Sequence, residues 1–205
     1  MTPGAALDQG LAQLGLSLPT SAPEVLLKYL ALLSKWNRTY NLTAIRDPLA
    51  MVAHHLLDSL AVLPYLPLGD HARVADAGSG AGLPGIPIAI ARPGWHVALA
   101  ESSQKKAAFL RQATIELALA NVEVHEGRVE RWQPRPLFDV VISRAFAALG
   151  DFIAACRHLV QPAGVLAAMK GAAPEDAPRE CQLVRLDVPL LGAQRHLVLC
   201  PASSQ

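Results

Sequence analysis

The feature that most constrains this chain is a glycine-rich turn at residues 76–85, which reads DAGSGAGLPG. It joins an apolar run at 73–77, which predicts a β-strand, to an apolar run at 86–91, which predicts a helix. Glycines at such a junction allow the backbone to pass beneath a ligand, and the start of the helix contributes free N–H groups. Four glycines in eight residues exceed what a turn alone needs. The loop therefore predicts a ligand site at the carboxyl edge of a parallel sheet.

After residue 69, short apolar or β-branched runs alternate with helical segments, which predicts a parallel sheet with helices on both faces. Two runs near the carboxyl end are separated by too few residues for a crossover helix, so we expect an antiparallel hairpin. The fold class we predict is α/β, with a mostly parallel seven-stranded sheet. The predicted strands are 73–77, 96–101, 122–126, 138–143 and 165–169, the hairpin strands are 183–188 and 196–199, and the predicted helices are 86–91, 103–119 and 151–159.

The first 69 residues have a different pattern, in which leucines recur at helical spacing. One helix is predicted to have Asp47 as its N-cap and Pro48 at its first position, and to end before Pro64. Such amphipathic helices need an apolar surface to pack against, so we expect them to lie on the sheet. The predicted domains are a helical extension, 1–69, and a sheet domain, 70–205, within a single compact unit.

The charge balance of the chain argues against several classes of protein. Lys and Arg total 18 and Asp and Glu total 17, giving a net charge of +1, which disfavours indiscriminate nucleic-acid binding and disordered acidic tails. The longest uncharged stretches contain Gly and Pro and do not predict a transmembrane helix. The first cation, Lys28, comes too late for the start of a signal peptide. We therefore expect a cytoplasmic protein with no membrane partner.

No metal site is predicted from the sequence. Cys156, Cys181 and Cys200 are an odd number of cysteines at wide spacing, which indicates neither a disulfide framework nor a thiolate metal site. We expect all three to be reduced and buried. His54 and Asp58 are four residues apart on one helix face, but no third ligand accompanies them. We expect this pair to be hydrogen-bonded or to face a nucleic acid.

Two classes of ligand fit the glycine loop. Residues 80–85 match the G-x-G-x-x-G pattern of dinucleotide sites, and Glu101 lies 21 residues after Gly80, where an acid can bind ribose hydroxyls. Asp76, however, stands at the end of the first strand, directly ahead of the loop. A carboxylate there would repel a pyrophosphate but attract the ammonium and sulfonium groups of S-adenosylmethionine. S-adenosylmethionine is the favoured cofactor, and NAD in an oxidoreductase stays the alternative.

Short motifs are distributed over nearly the whole chain. They are WNRTYNLT at 36–43, HLLDS at 55–59, LPGIP at 83–87, KK at 105–106 with FLR at 109–111, RVE at 128–130, ISRAF at 142–146, KG at 170–171 and RHL at 195–197. In this order and spacing, the sequence resembles the RsmG family, also called GidB, of bacterial small-subunit ribosomal RNA guanine-N7 methyltransferases. The resemblance implies a class I, Rossmann-like methyltransferase fold, which the carboxyl-terminal hairpin also favours.

The resemblance implies a set of cofactor-binding residues. Gly78 and Leu83 would contact the cofactor from the loop, Glu101 would bind the ribose hydroxyls, and Val129 with Glu130 would border the adenine. Many family members have Asp at the position of Glu101, and the extra methylene of Glu keeps the charge but changes the reach. With Arg144 near the reactive end of the cofactor, the full expected set is Asp76, Gly78, Gly80, Leu83, Glu101, Val129, Glu130 and Arg144.

The implied reaction needs no residue that the sequence lacks. Guanine N7 has an in-plane lone pair, so methyl transfer requires neither a base nor a covalent enzyme intermediate and can depend on positioning. The sequence has no motif of cytosine-C5 or exocyclic-amine methyltransferases. The expected catalytic residues are Asn41 and Arg144, which would orient the base. The resemblance implies guanine 527 of 16S rRNA, or of the small ribosomal subunit, as the target, and we expect the enzyme to be a monomer.

Several features leave alternatives open. Lys105, Lys106 and Arg111 lie near the start of a predicted helix and form either a solvated face or a phosphate-contacting patch. We expect Trp36 in the core, and Tyr40 is the better candidate for stacking on a base. The rival functions are methylation of a small molecule or protein, NAD-dependent oxidoreduction, and RNA binding without catalysis.

Overall fold

The computed structural model describes residues 1–144, 146, 148–174 and 177–202. Ala145 of the motif at 142–146 and the end of the predicted sheet domain, 203–205, lie outside the described residues. Within the described part of the chain, no helix is both long and apolar enough to span a bilayer.

A seven-stranded sheet with the strand order β3-β2-β1-β4-β5-β7-β6 forms the centre of the molecule. The first five strands are parallel, and β7 is antiparallel to both of its neighbours. The predicted α/β class, the strand number and the antiparallel hairpin are therefore confirmed. The strands are β1 (Arg73–Ala77), β2 (His96–Glu101), β3 (Val122–Glu126), β4 (Phe138–Ser143), β5 (Val160–Lys170), β6 (Gln182–Leu186) and β7 (Arg195–Pro201).

The amino-terminal residues are helical, as predicted, but the third helix changes its hydrogen-bond pattern. Asp47 caps it, because its side chain accepts a hydrogen bond from the Ala50 N–H at 2.8 Å. A π-helical turn, Val52–Leu57, then interrupts the α-helix, and this change was not predictable from the apolar spacing. The amino-terminal helices are α1 (Pro3–Leu14), α2 (Ala22–Tyr40), α3 (Pro48–Met51) and α4 (Asp58–Leu60), with a 3₁₀ turn at Leu63–Tyr65.

The remaining helices follow strands, as expected for parallel connections. The helix predicted over 103–119 ends at Glu116, since Ala118 has a positive φ of 52°. The strand predicted over 165–169 begins earlier, at Val160, with an irregular register opposite β4. The helices are α5 (Gly85–Ala91), α6 (Gln104–Glu116) and α7 (Leu149–Cys156), with 3₁₀ turns at Val129–Arg131 and Arg157–Leu159.

Two apolar cores lie on the two faces of the sheet, because successive strand residues point to opposite sides. Val74 belongs to the core under α1, α2, the π-helix, α5 and α6, whereas Ala75 and Ala77 belong to the core under α7. Asp76 alternates with these alanines, so its side chain points to the face that α5 covers. The first core extends from Ala6 in α1 to Leu197 in β7, and the division of the chain at residue 69 stays a prediction.

One expectation about the cysteines is wrong. Cys181 and Cys200 form a disulfide bond, whereas Cys156 is a free, buried thiol. The register of β6 against β7 aligns Gln182 with Leu199, so the two bonded cysteines lie opposite each other across the antiparallel pair. Their spacing in the sequence gives no sign of this pairing, because the register of the hairpin decides it.

The contact between α1 and the π-helix gives a stability test. A Cβ added to Gly10 would lie 2.3 Å from Leu57 Cδ1 and 2.7 Å from Leu57 Cδ2, and Leu57 is fully buried. Alanine at a helical glycine ordinarily stabilises by ~0.5–1 kcal/mol, but overpacking a core costs ~1–3 kcal/mol. We expect Gly10→Ala to lower the free energy of unfolding by about 1 kcal/mol, measured by urea denaturation.

Gly4→Ala, in the same helix, is the matched control. Its added Cβ would lie 3.7 Å from Leu27 Cδ1, an ordinary van der Waals contact. This variant should leave the free energy of unfolding unchanged or raise it slightly. Equal stabilisation by both substitutions would contradict the tight packing of α1 on the π-helix.

Candidate active site

The glycine loop after β1 uses backbone conformations that favour glycine. Gly78, Gly80 and Gly82 have φ values of 74°, 57° and 89°, which side chains rarely adopt. A Cβ on Gly82 would also approach Ile86 Cδ1 to 2.4 Å. The amide groups of Gly78 and Ser79 donate to the Ala100 carbonyl at 2.9 and 3.0 Å. These bonds fix the loop against the end of β2.

Asp76 lies beneath this loop and is completely buried. Its Oδ2 accepts a hydrogen bond from the Gly85 N–H at 2.9 Å, at the start of α5. Its Oδ1 is buried without a hydrogen-bond partner among the described residues. Burial raises the pKa of Asp76 to about 7, although the Gly85 amide and the Arg144 charge act in the opposite direction. An unpaired buried carboxylate oxygen is costly, so a cationic donor would be strongly favoured next to it.

Glu101, at the end of β2, joins two loops through its carboxylate. Oε2 accepts a hydrogen bond from the Gly80 N–H at 2.9 Å, and Oε1 accepts one from the Ser103 N–H at 2.8 Å. The side chain is therefore fixed between the glycine loop and the start of α6. Each oxygen keeps a second lone pair, so Glu101 can also accept a hydroxyl donor.

Three of the expected cofactor-binding residues line one small cavity of about 120 Å³. Gly78, Val129 and Glu130 meet there, at the carboxyl ends of β1 and β3. Leu83 is not among its lining residues and is buried in the core beside α5. The complete lining is Gly78, Ala100, Ser102, Gly127, Arg128, Val129, Glu130 and Phe146.

A larger cavity of about 410 Å³ lies between the amino-terminal helices and the ends of β4, β5 and β7. Arg144, expected at the reactive end of the cofactor, lines this cavity. Asn41 does not line it: Asn41 is exposed at the end of α2, where its Oδ1 accepts a long 3.4 Å hydrogen bond from Arg46 Nη2. The lining consists of Thr43, Ala44, Ile45, His54, His55, Asp58, Arg144, Met169, Lys170, Gly171 and Arg195.

Asp58 connects two arginines at the wall of the larger cavity. Arg144 Nη1 donates to Asp58 Oδ2 and Arg195 Nε donates to Asp58 Oδ1, each at 3.1 Å. The Asp58 side chain is 2% exposed, against 29% for Arg144 and 23% for Arg195. The spacing in the sequence pairs Asp58 with His54 and indicates neither arginine. The partners are 86 and 137 residues away along the chain, so helical spacing carries no signal for them.

The π-helical turn explains a further contact of Arg144. In an α-helix the Asp58 N–H would donate to the carbonyl four residues back, that of His54. Here it is directed to the carbonyls of Ala53 and His55. The His54 carbonyl instead accepts a hydrogen bond from Arg144 Nη1 at 2.9 Å. The irregular turn therefore provides two acceptors, one backbone and one side chain, for the same guanidinium nitrogen.

His55 and Thr43 close the amino-terminal side of the larger cavity. Thr43 Oγ1 lies 3.0 Å from His55 Nε2, and the Thr43 N–H donates to Asn37 Oδ1 at 2.9 Å. Burial, together with the Arg144 charge, lowers the pKa of His55 to about 4. His55 is therefore neutral at physiological pH and is already hydrogen-bonded within the protein.

The exposed cations and aromatic side chains singled out in the sequence are not gathered in the two cavities. Arg111 forms an ion pair with Glu126 at 2.8 Å, while Lys105 is exposed and Lys106 is half-buried. Trp36 is half-buried and packs edge-on against buried Phe109, as a core position requires. Tyr40 is 45% exposed and so accessible for stacking. The described residues contain no cluster of three or more His, Cys, Asp or Glu side chains able to hold a metal ion.

A loop, two acids and two cavities thus share the carboxyl edge of the parallel strands. A family model described as rRNA small subunit methyltransferase G matches residues 23–196. The chain belongs to this family. The relatives include proteins named ribosomal RNA small subunit methyltransferase G from Methylobacillus flagellatus, 51% identical over 96% of this chain and 97% of the relative, and from Nitrosospira multiformis, 48% identical over the full length of both.

Solved structures agree with this family in fold. A protein of Agrobacterium tumefaciens described as a predicted O-methyltransferase superposes with a TM-score of 0.56 and 25% identity, covering 76% of this chain and 81% of its own. A SAM-dependent methyltransferase from Aquifex aeolicus gives 0.57 and 17% identity, covering 83% and 98%. The Rossmann-like class I methyltransferase fold that the family implies is therefore confirmed.

The raised pKa of Asp76 predicts a pH-dependent stability. The folded state keeps the proton up to about pH 7, whereas the unfolded chain releases it near the usual value of 3.8. The free energy of unfolding contributed by this group is therefore greatest below about pH 4 and is lost as the pH rises to about 7. Asp76→Asn should remove this loss. Because a shift of one pKa unit corresponds to ~1.4 kcal/mol, the loss amounts to roughly 1–4 kcal/mol.

Urea denaturation of both proteins between pH 4 and pH 7 measures this difference. Asp8→Asn, at an exposed position of α1, is the matched control and should keep the pH dependence of the unsubstituted protein. Parallel pH curves for the unsubstituted protein and Asp76→Asn would show that Asp76 ionises normally in the folded state.

Proposed function

We propose that this protein is an S-adenosylmethionine-dependent methyltransferase that methylates N7 of guanine 527 in 16S rRNA and acts as a monomer. The observation that carries the proposal is that the segment after β4 takes part in both cavities. Arg144 lines the larger cavity and Phe146 the smaller one. One cavity can therefore hold a methyl donor and the other an acceptor, close to Arg144 and Phe146.

The smaller cavity and the glycine loop have the chemistry that the methyl donor needs. The side-chain-free surface at Gly78 allows close approach of an adenosyl group, with Val129 and Glu130 beside the adenine. Glu101 retains acceptor capacity for the ribose hydroxyls, and the unpaired Asp76 Oδ1 suits the ammonium group of the donor. S-adenosylmethionine supplies a methyl group on a positively charged sulfur, which is electrophilic without further activation.

Asp58 and one of the two histidines of the larger cavity are engaged within the protein, which favours an acceptor atom that needs no deprotonation. Both oxygens of Asp58 accept hydrogen bonds from arginines, and His55 is bonded to Thr43. Asp58 is the one carboxylate among the described lining residues, and neither of its oxygens is free of a hydrogen bond. Guanine N7 presents a lone pair and requires no base, whereas an exocyclic amine requires one. The protein then has to orient the base and to exclude water. Arg144 and Asn41 are our candidates for orienting the base.

The family description, together with the cations at the larger cavity, supports RNA as the substrate. Among the described lining residues, Arg144 and Arg195 carry two positive charges and share one carboxylate, that of Asp58. A local excess of positive charge of this kind attracts a polyanion even though the whole chain is nearly neutral.

Transfer of a labelled methyl group to ribosomal RNA tests the proposal. The acceptor should be small subunits, and separately 16S rRNA, from cells that lack this gene. We expect incorporation at one guanine, detected by chemical cleavage at N7-methylguanosine, and no incorporation with RNA from cells that carry the gene. Incorporation at another base or into protein, or a complete lack of incorporation, would contradict the proposal.

Calorimetry with S-adenosylhomocysteine and with NAD tests the donor site separately. We expect S-adenosylhomocysteine to bind and NAD not to bind. Asp76→Asn should weaken S-adenosylhomocysteine binding by about ten- to a hundredfold, since a charge-assisted hydrogen bond is worth ~1.5–3 kcal/mol, and should abolish methylation. Asp8→Asn should bind like the unsubstituted protein. Binding of NAD alone would favour the oxidoreductase alternative, and an active Asp76→Asn variant would remove Asp76 from the donor site.

A further inference from the structure

Three cations lie side by side at one edge of the sheet. Arg144 follows β4, Lys170 ends β5, and Arg195 begins β7. These strands are neighbours in the order β4-β5-β7. Because β7 is antiparallel to β5, its first residue lies at the same edge as the last residues of β4 and β5. Strand topology thus collects cations that are far apart in the sequence, and all three line the larger cavity.

Asp58 uses only part of the hydrogen-bonding capacity of its two arginines. Arg195 donates through Nε to Asp58 and through Nη1 to the Gln194 carbonyl at 2.8 Å. Arg144 donates through Nη1 to Asp58 and to His54. Neither Nη2 atom has a hydrogen-bond partner among the described residues. A buried ion pair needs only one cation for one carboxylate, so the second guanidinium leaves an excess positive charge at the wall of the cavity.

From this geometry we infer that Arg195 contacts the phosphodiester next to the target nucleotide, and that Asp58 is a positioning residue that holds Arg195 in place beside Arg144. This inference rests on the proposed function, since it concerns the RNA in the larger cavity. Guanidinium groups present planar, paired N–H donors that match phosphate oxygens. Holding one edge of the guanidinium on Asp58 orders a long side chain before the RNA arrives, which lowers the entropic cost of binding.

The charge change in the reaction favours phosphate over the base as the partner of Arg195. When the N7–C bond forms and the S–C bond breaks, the positive charge moves from sulfur to the purine. Two cationic donors on the purine would oppose this charge and withdraw electron density from N7. A phosphodiester keeps its negative charge throughout, so a contact from Arg195 to phosphate leaves the methyl transfer unaffected.

Methylation rates at varied RNA and salt concentrations test the role of Arg195. We expect Arg195→Gln to raise the KM for 16S rRNA or small subunits about tenfold and to change kcat less than twofold. The slope of log(1/KM) against log salt concentration should become shallower by ~0.7–0.9, the value for one lost phosphate contact. Arg195→Lys should restore the slope but only part of the KM, because it keeps the charge and loses the planar donors.

Asp58→Asn tests the positioning role. We expect a raised KM and a shallower salt slope, and we expect the Asp58→Asn/Arg195→Gln double variant to have the KM of Arg195→Gln alone, because positioning has no effect once the positioned group is absent. A purely structural role would lower thermal stability without changing the salt slope. Additive effects on KM would overturn the positioning role. If Asp58→Asn does not fold, the two Arg195 variants still decide the phosphate contact.

Arg92→Gln is the matched control for charge. Arg92 follows α5 at the opposite edge of the sheet, where its Nη1 donates to the Ser17 carbonyl at 3.0 Å. This variant should keep the KM and the salt slope of the unsubstituted protein. An unchanged KM and salt slope for Arg195→Gln would overturn the inference, as would a loss of S-adenosylhomocysteine binding, which would assign Arg195 to the donor site.

Failure of the proposed function would look different. An unsubstituted protein that methylates no RNA contradicts the proposed reaction, and Arg195 is then tested by equilibrium binding of 16S rRNA at several salt concentrations. A shallower salt slope for Arg195→Gln in that assay would still support the phosphate contact, and an unchanged slope would overturn it.

Discussion

The path of the glycine loop depends on two buried carboxylates that accept its backbone amides. Asp76 accepts the Gly85 N–H at the start of α5, and Glu101 accepts the Gly80 N–H while also binding Ser103. These bonds tie the loop to the start of α5 and to the end of β2. Acids expected only to bind a ligand also hold the loop in shape: Asp76 does so through Oδ2 and Glu101 through both of its oxygens.

The features that local sequence could predict are those in which neighbouring residues determine the structure. The glycine pattern predicted a loop whose backbone can pass beneath a ligand, Asp47 predicted a helix start, and alternation of strands and helices predicted the sheet. The Asp58 pair with Arg195 and the Cys181–Cys200 bond depend instead on strand register and on packing between distant segments. The resemblance named the motifs that contain Asp58 and Arg195, but a motif carries no information about which side chains touch.

The near-neutral charge of the chain conceals an uneven distribution. Several surface cations are paired with acids, as Lys28 is with Glu24 and Arg111 with Glu126. Among the described lining residues of the larger cavity, Arg144 and Arg195 share the single carboxylate of Asp58. The wall of this cavity therefore carries an excess positive charge. An enzyme of this kind can bind a particular folded RNA locally while having little affinity for nucleic acid in general.

The π-helical turn makes this part of the site sensitive to chain length. In a π-helical turn each N–H donates to the carbonyl five residues back, so the turn contains one residue more than the α-helix that would replace it. Deleting any one residue of 52–57 would restore α-helical bonding and engage the His54 carbonyl within the helix. Arg144 would then lose its backbone acceptor and keep only the Asp58 carboxylate. Over long evolutionary times, this segment is expected to accept substitutions at several positions but to reject insertions and deletions.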